Sequence, residues 1–147
     1  MPADSAFVLD VRVLVRQGLV RMGAFTPDAR VRFRDPETGR AWGEALCAVD
    51  ARLPDAPFLE LGYELARSGE RVALRVPLSY ARGTPRGPRW HFVCPLGCGR
   101  SALRLHLPAG ATRFGCRGCI RPLLRSSDAP PAIRVPPPRP AGAPRAR

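Results

Sequence analysis

Four cysteines in two close pairs are the residues of this chain best suited to chemistry. Cys94-Pro95-Leu96-Gly97-Cys98 and Cys116-Arg117-Gly118-Cys119 are separated by residues 99–115. Two short loops that each carry two thiols, brought together by a longer segment, make the tetrahedral set that a structural metal ion takes. Pro95 sets φ early in the first loop, and Gly97, Gly99 and Gly118 supply the left-handed turns that curl both thiolates of a pair towards one ion. The spacing predicts a zinc ribbon with Cys94, Cys98, Cys116 and Cys119 holding one Zn2+. The first pair is Cys-x3-Cys, one residue longer than the commonest knuckle. A rubredoxin-like iron site uses similar pairs, and two disulfides or unrelated buried thiols are the other readings. Met1-Pro2-Ala3-Asp4 has no apolar leader after it, so a reducing, cytoplasmic setting is expected, where disulfides are rare. His91 and His106 are the only histidines and are expected to be bystanders; Cys47, without a nearby partner, is expected to be a core thiol.

Charge is the second chemical signal. The formal net charge is +12, and with no lysine present it is carried by 24 arginines. Absent asparagine and abundant Ala, Gly, Pro and Arg point to a GC-rich genome, so some arginines reflect codon usage. Codon usage does not explain the asymmetry. Residues 1–70 hold 9 arginines and 11 acids, whereas residues 71–147 hold 15 arginines and one acid, Asp128. Zinc with four thiolates returns about two negative charges, and the ribbon half stays strongly basic, as a phosphate-binding surface requires. Arg100, Arg104, Arg113, Arg117 and Arg121 are the candidate phosphate contacts, with Trp90 as a candidate stacking ring, although ribbon aromatics more often pack in the core. No apolar run approaches the ~20 residues that span a bilayer. No paired carboxylates in the basic half and no phosphate-cradling loop suggest a catalytic site or a small-molecule substrate, so no enzyme is expected.

The elements that must position these groups are mostly strands. Asp10 can cap a short helix that Gly18 stops, while Val11, Val13 and Val15 equally suit a strand. Val31 to Arg34 and Ala41 to Ala51 flank a turn at Asp35-Pro36-Glu37-Thr38-Gly39. Leu59, Leu61, Tyr63 and Leu65 alternate with polar residues, as do Val72, Leu74, Val76 and Leu78. A two-residue turn at Ser68-Gly69 would set Leu65 against Val72 and Tyr63 against Leu74, with Glu64 near Arg71 on the outer face. Pro77 cannot donate to a ladder, which predicts a free edge there. After a basic linker, Arg82 to Arg89, Trp90 and Phe92 lead a strand into Cys94. Leu103, Leu105 and Leu107 alternate, and Pro108-Ala109-Gly110 turns the chain so that Thr112 to Phe114 returns as a two-stranded hairpin. From Ser126 the composition is mostly Pro, Ala and Arg, which predicts disorder.

The fold expected is mainly β: a small antiparallel sheet with a short N-terminal helix over residues 1–81, a four-cysteine zinc ribbon over 82–125, and a disordered tail over 126–147. From about Leu9 to Cys119 the chain resembles a family of uncharacterised bacterial and phage or mobile-element zinc-ribbon proteins. The likeness rests on Asp10-Val11-Arg12 with Gly18-Leu19, on Leu59 to Tyr63, on Trp90 to Pro95, and on Arg113 to Cys119. After the last knuckle the family leads into a helix, whereas Ile120-Arg121-Pro122 runs here towards the proline-rich tail. The resemblance implies the metal ligands and the sheet-plus-ribbon plan and carries no activity. The expected role is a non-enzymatic nucleic-acid-binding module of low sequence specificity, with DNA ahead of RNA. The alternative is a zinc-stabilised interaction subunit of a larger protein complex.

Overall fold

The computed structural model describes residues 6–34, 39, 41–82, 85, 89–123 and 131–136. The chain is mainly β. In order it forms β1 (Ala6–Asp10), α1 (Val11–Arg16), β2 (Phe25–Arg34), β3 (Ala41–Asp50), β4 (Phe58–Leu65), β5 (Arg71–Ala81), β6 (Arg89–Val93), β7 (Ser101–Ala102), β8 (Arg104–Pro108), α2 (Arg117–Ile120), a 3-10 turn at Arg121–Leu123, and β9 (Ile133–Arg134). An antiparallel sheet runs β2-β3-β4-β5-β6-β7, with β9 beside β4, and β1 pairs with β8 in a second ladder.

The N-terminal segment resolves the choice between helix and strand by using both. Apolar alternation at Phe7 and Leu9 makes β1, and Asp10 then ends it by accepting from the Arg12 N–H at 2.9 Å as the N-cap of α1. Gly18, at φ 76°, closes the helix. Val11 and Leu14 point inward, whereas Val15 lies on the outer side.

The β4–β5 hairpin has the expected buried face with a different register. Leu59 pairs with Val76, Leu61 with Leu74 and Tyr63 with Val72, two residues away from the pairing that a two-residue turn would impose. The turn is longer: the Leu65 N–H donates to the Glu70 carbonyl at 2.8 Å, and the Gly69 N–H to the Leu65 carbonyl at 2.8 Å, so Ala66 to Gly69 form the loop. A slip of two preserves the side-chain face, because the pleat has period two. Glu60 is accordingly outside, paired to Arg75 at 2.6 Å, and Leu61 is inside.

Glu64 departs from this alternation: it is opposite Arg71 on the outer face yet buried. The cause is β9. Arg134 sits beside Glu64 and bonds its carboxylate at 2.8 Å, and Ile133 lies opposite Leu65. Gly43 of β3 lets β9 approach, since a Cβ there would stand 2.8 Å from Ile133 Cγ1 and 2.9 Å from the Ile133 carbonyl oxygen. This short strand falls within the expected tail; residues 126–130 and 137–147 lie outside the described residues.

Pro77 is only partly at an edge. Leu78 N–H donates to the Pro57 carbonyl, so the N position of Pro77 faces the β6 side, and the β5–β6 ladder begins one residue later, at Leu78–Phe92. The sheet therefore continues straight from β5 into β6. The expected hairpin between Leu103 and Phe114 shrinks to a single bridge, His106–Gly115, with N–O distances of 2.8 and 3.0 Å. The main partner of β8 is instead β1, where Leu9 meets Leu105 and Phe7 meets Leu107. Segments 1–81 and 82–125 thus share one core, in which Phe33 packs on Phe7 (5.3 Å between ring centroids) and on Phe114 (5.5 Å), and Tyr63 meets Phe114 edge-on at 5.8 Å. Each fully buried Leu, Val or Phe of this core stabilises it by about 1.5–3 kcal/mol.

Candidate metal centre

Each pair of cysteines is held by its own local backbone. Cys94 ends β6, and its N–H donates to the Arg100 carbonyl at 2.9 Å, which closes the first knuckle into a loop. Gly97 and Gly99, at φ 90° and 74°, make left-handed turns in which any other side chain would be strained. Cys116 sits at the N-cap of α2, and one turn later the Cys119 N–H donates back to the Cys116 carbonyl at 3.1 Å. The knuckles also interlock. Leu96 and Ile120 lie directly over Gly115 and leave a side chain there little room, whereas one at Gly118 would have to displace the exposed Arg100 guanidinium.

The thiols converge. All four sulfur atoms lie within 4.8 Å of one another, with Cys94–Cys119 at 3.9 Å and Cys98–Cys116 at 3.6 Å. A tetrahedron with Zn–S bonds of about 2.3 Å has edges of about 3.8 Å, so the cluster has the size that a four-thiolate ion demands. Backbone amides support the sulfurs: Cys116 N–H donates to Cys94 Sγ at 3.3 Å and Arg100 N–H to Cys98 Sγ at 3.5 Å. The Arg100 amide pulls the Cys98 thiol down to about 7. Burial pushes Cys94 up, and Cys119 is raised to about 12, chiefly by its hydrogen bond with Cys98. The arrangement can bind a metal ion such as zinc, and its four protein donors leave no open coordination position for catalysis. Neither histidine joins the cluster. Cys47 is apart from it, buried in the core, and desolvation lifts its thiol to about 12, which makes it an inert packing residue.

The candidate nucleic-acid residues divide. Arg100, Arg113, Arg117 and Arg121 are all exposed, Arg100 and Arg117 within two residues of a ligand-pair cysteine and Arg113 and Arg121 within three in the sequence. Arg104 is instead tied to Asp10, its Nε 3.1 Å from the carboxylate. Trp90 offers no free ring face: it is 9% exposed and packs on Tyr80 at 4.8 Å, because the alternation of β6 turns residues 90 and 92 inward. Three arginines that sequence reasoning passed over, Arg12, Arg16 and Arg89, share a groove with the rim of Trp90 and with Arg104. No local signal could have found them, since Arg12 and Arg104 meet through Asp10 across 94 positions of sequence.

Comparison with protein-family models, with curated proteins and with solved structures finds no match for this chain.

Proposed function

We propose that the chain is a zinc-binding, non-enzymatic module that holds nucleic acid, with little sequence preference, through the arginines around its knuckles. The observation that carries the reading is the way charge is partnered. In the N-terminal half Arg12, Arg30, Arg32 and Arg52 are engaged by Asp10, Glu44 and Asp50, while Arg16, Arg21 and Arg67 have no acidic partner among the described residues. In the sequence flanking the four cysteines, Arg100, Arg113 and Arg121 have no acidic partner among the described residues. These three guanidinium groups stand against the roughly two negative charges of a zinc tetrathiolate, which leaves a net positive surface for phosphate. Zinc is the ion that suits a closed four-thiolate site with a structural role, in a cytoplasm where thiols stay reduced. A setting in a bacterial or mobile-element assembly is part of the same proposal, after the family resemblance.

Fluorescence anisotropy with labelled duplex and single-stranded DNA tests it. With about three to five arginines engaged, log K should fall against log salt with a slope of roughly −2 to −4.5, and Arg117→Ala should flatten it by almost one unit. Arg67→Ala, on the turn between β4 and β5, should leave it alone. Absence of binding at low salt would overturn the reading.

A second reading, an interaction subunit, has one observation in its favour. Among the described residues β1 pairs only with β8 and β2 only with β3, and the two remaining strand edges line one groove of about 660 Å³. Val8, 43% exposed, opens onto it. An extended segment of a protein partner could add to either edge by main-chain pairing.

A further inference from the structure

We infer that the groove between α1, β6 and β8 is a cleft for single-stranded nucleic acid, which seats one unpaired base and its flanking phosphates. The inference rests on the nucleic-acid reading above and moves its centre from the knuckles to this groove. The space is about 640 Å³, within the range of nucleotide-sized sites. Four arginines line it, Arg12 and Arg16 from α1, Arg89 from β6 and Arg104 from β8, against one acid, Asp10. That acid works as a positioning residue. Its carboxylate takes Arg12 through Nε at 3.1 Å and Nη2 at 2.8 Å, and Arg104 through Nε at 3.1 Å. Two guanidinium groups are thereby fixed before any ligand arrives, and one carboxylate cancels only one of their charges. Arg16 and Arg89 have no acidic partner among the described residues, so the groove keeps an excess of about three positive charges.

The wall between these charges is apolar. Val15 is 39% exposed on the outer side of α1, and the rim of Trp90 faces the same space. Phosphate alone needs no such surface, whereas a base does. A duplex presents a convex backbone with its bases stacked away, and it cannot put a base into a concave pocket of this size without unstacking it. A single strand can. A strand leaving the groove along β6 reaches the first knuckle after about 16 Å, five residues at about 3.3 Å each, where Arg100 continues the phosphate track.

The test uses the full zinc-loaded chain, an oligothymidylate of about 12 nucleotides, and a duplex of the same length. In Arg16→Ala/Arg89→Ala the oligothymidylate should bind about tenfold more weakly, with a salt slope flatter by about 1.4, while duplex binding changes less than about twofold. Retained duplex binding also reports an intact fold. Trp90 supplies a direct reading: Trp42→Phe removes the other of the two tryptophans, and the remaining emission should change on adding oligothymidylate and not on adding inorganic phosphate. Equal weakening of single strand and duplex, an unaffected single strand, or a silent Trp90 would each overturn the cleft while leaving the nucleic-acid reading standing. If the parent binds neither probe, that reading falls and the cleft with it.

Discussion

Removing Tyr63 should disturb the metal-binding half although it lies on the central sheet. Tyr63 and Phe114 are both fully buried, their rings meet edge-on at 5.8 Å, and the Tyr63 hydroxyl donates to the Thr112 carbonyl, in the loop that leads to Cys116. Truncating a buried aromatic to alanine costs about 3–5 kcal/mol, so Tyr63→Ala and Phe114→Ala should each lose about that much. The edge-on pair is worth about 0.5–1.5 kcal/mol beyond its area, and the two cavities adjoin. The double variant should therefore be less destabilised than the sum of the singles by about 1–2 kcal/mol. Tyr63→Phe keeps the ring and should lose only the hydroxyl contribution, about 0.5–1.5 kcal/mol, which provides a folded variant should the alanine forms be too unstable. Urea denaturation of the zinc-loaded protein, followed by intrinsic fluorescence and by release of metal to a chromophoric chelator, gives both readings at once. One coincident transition with a coupling of that size is expected. Additivity within ~0.5 kcal/mol, or a sheet that melts apart from metal release, would refute a shared core.

Stripping the metal with a chelator should lower the stability of the whole chain, seen as an earlier loss of β4–β5 protection in hydrogen exchange, because Cys94 and Cys116 are part of the common core; Cys116→Ser should lose the metal and Cys47→Ser should retain it, by elemental analysis. Arg134→Ala removes the partner of a buried carboxylate whose Oε2 already lacks one among the described residues, and should cost about 1–3 kcal/mol; Gly43→Val should displace the same strand by collision with Ile133, and both are read by proteolysis after β8. The Asp10 carboxyl, which burial would raise, is instead held at about 2 by Arg12 and then Arg104. Its folded value lies below its ordinary 3.8, so its contribution is present above about pH 4 and lost as pH falls towards about 2. Asp10→Asn, which keeps a capping side chain, should be less stable than the parent at neutral pH, with the difference closing over that window in thermal melts.

What the sequence determined by itself was local. The cysteine spacing named the four residues whose thiols cluster, since two residues or three between thiols leave few ways to share an ion. Asp10 and Gly18 bounded α1 through groups in the same turn, and strict alternation chose the buried face of β4 and β5. That face survived a misjudged turn because an even slip moves each residue to a neighbour on the same side. What only the tertiary structure decided was who meets whom. Alternating leucines at 103, 105 and 107 declare a need for burial, but nothing in them specifies β1, nearly a hundred residues earlier, over the nearby return at 112–114. Trp90 was a candidate stacking ring, with core packing the commoner fate of a ribbon aromatic, until β6 joined β5. Glu64 read as a solvent-facing acid until β9 covered it, and the arginine groove exists only where three distant segments cross. Apolar pattern is written residue by residue, whereas pairing between distant strands is selected by the fit of whole faces, and that fit arises only in the folded chain.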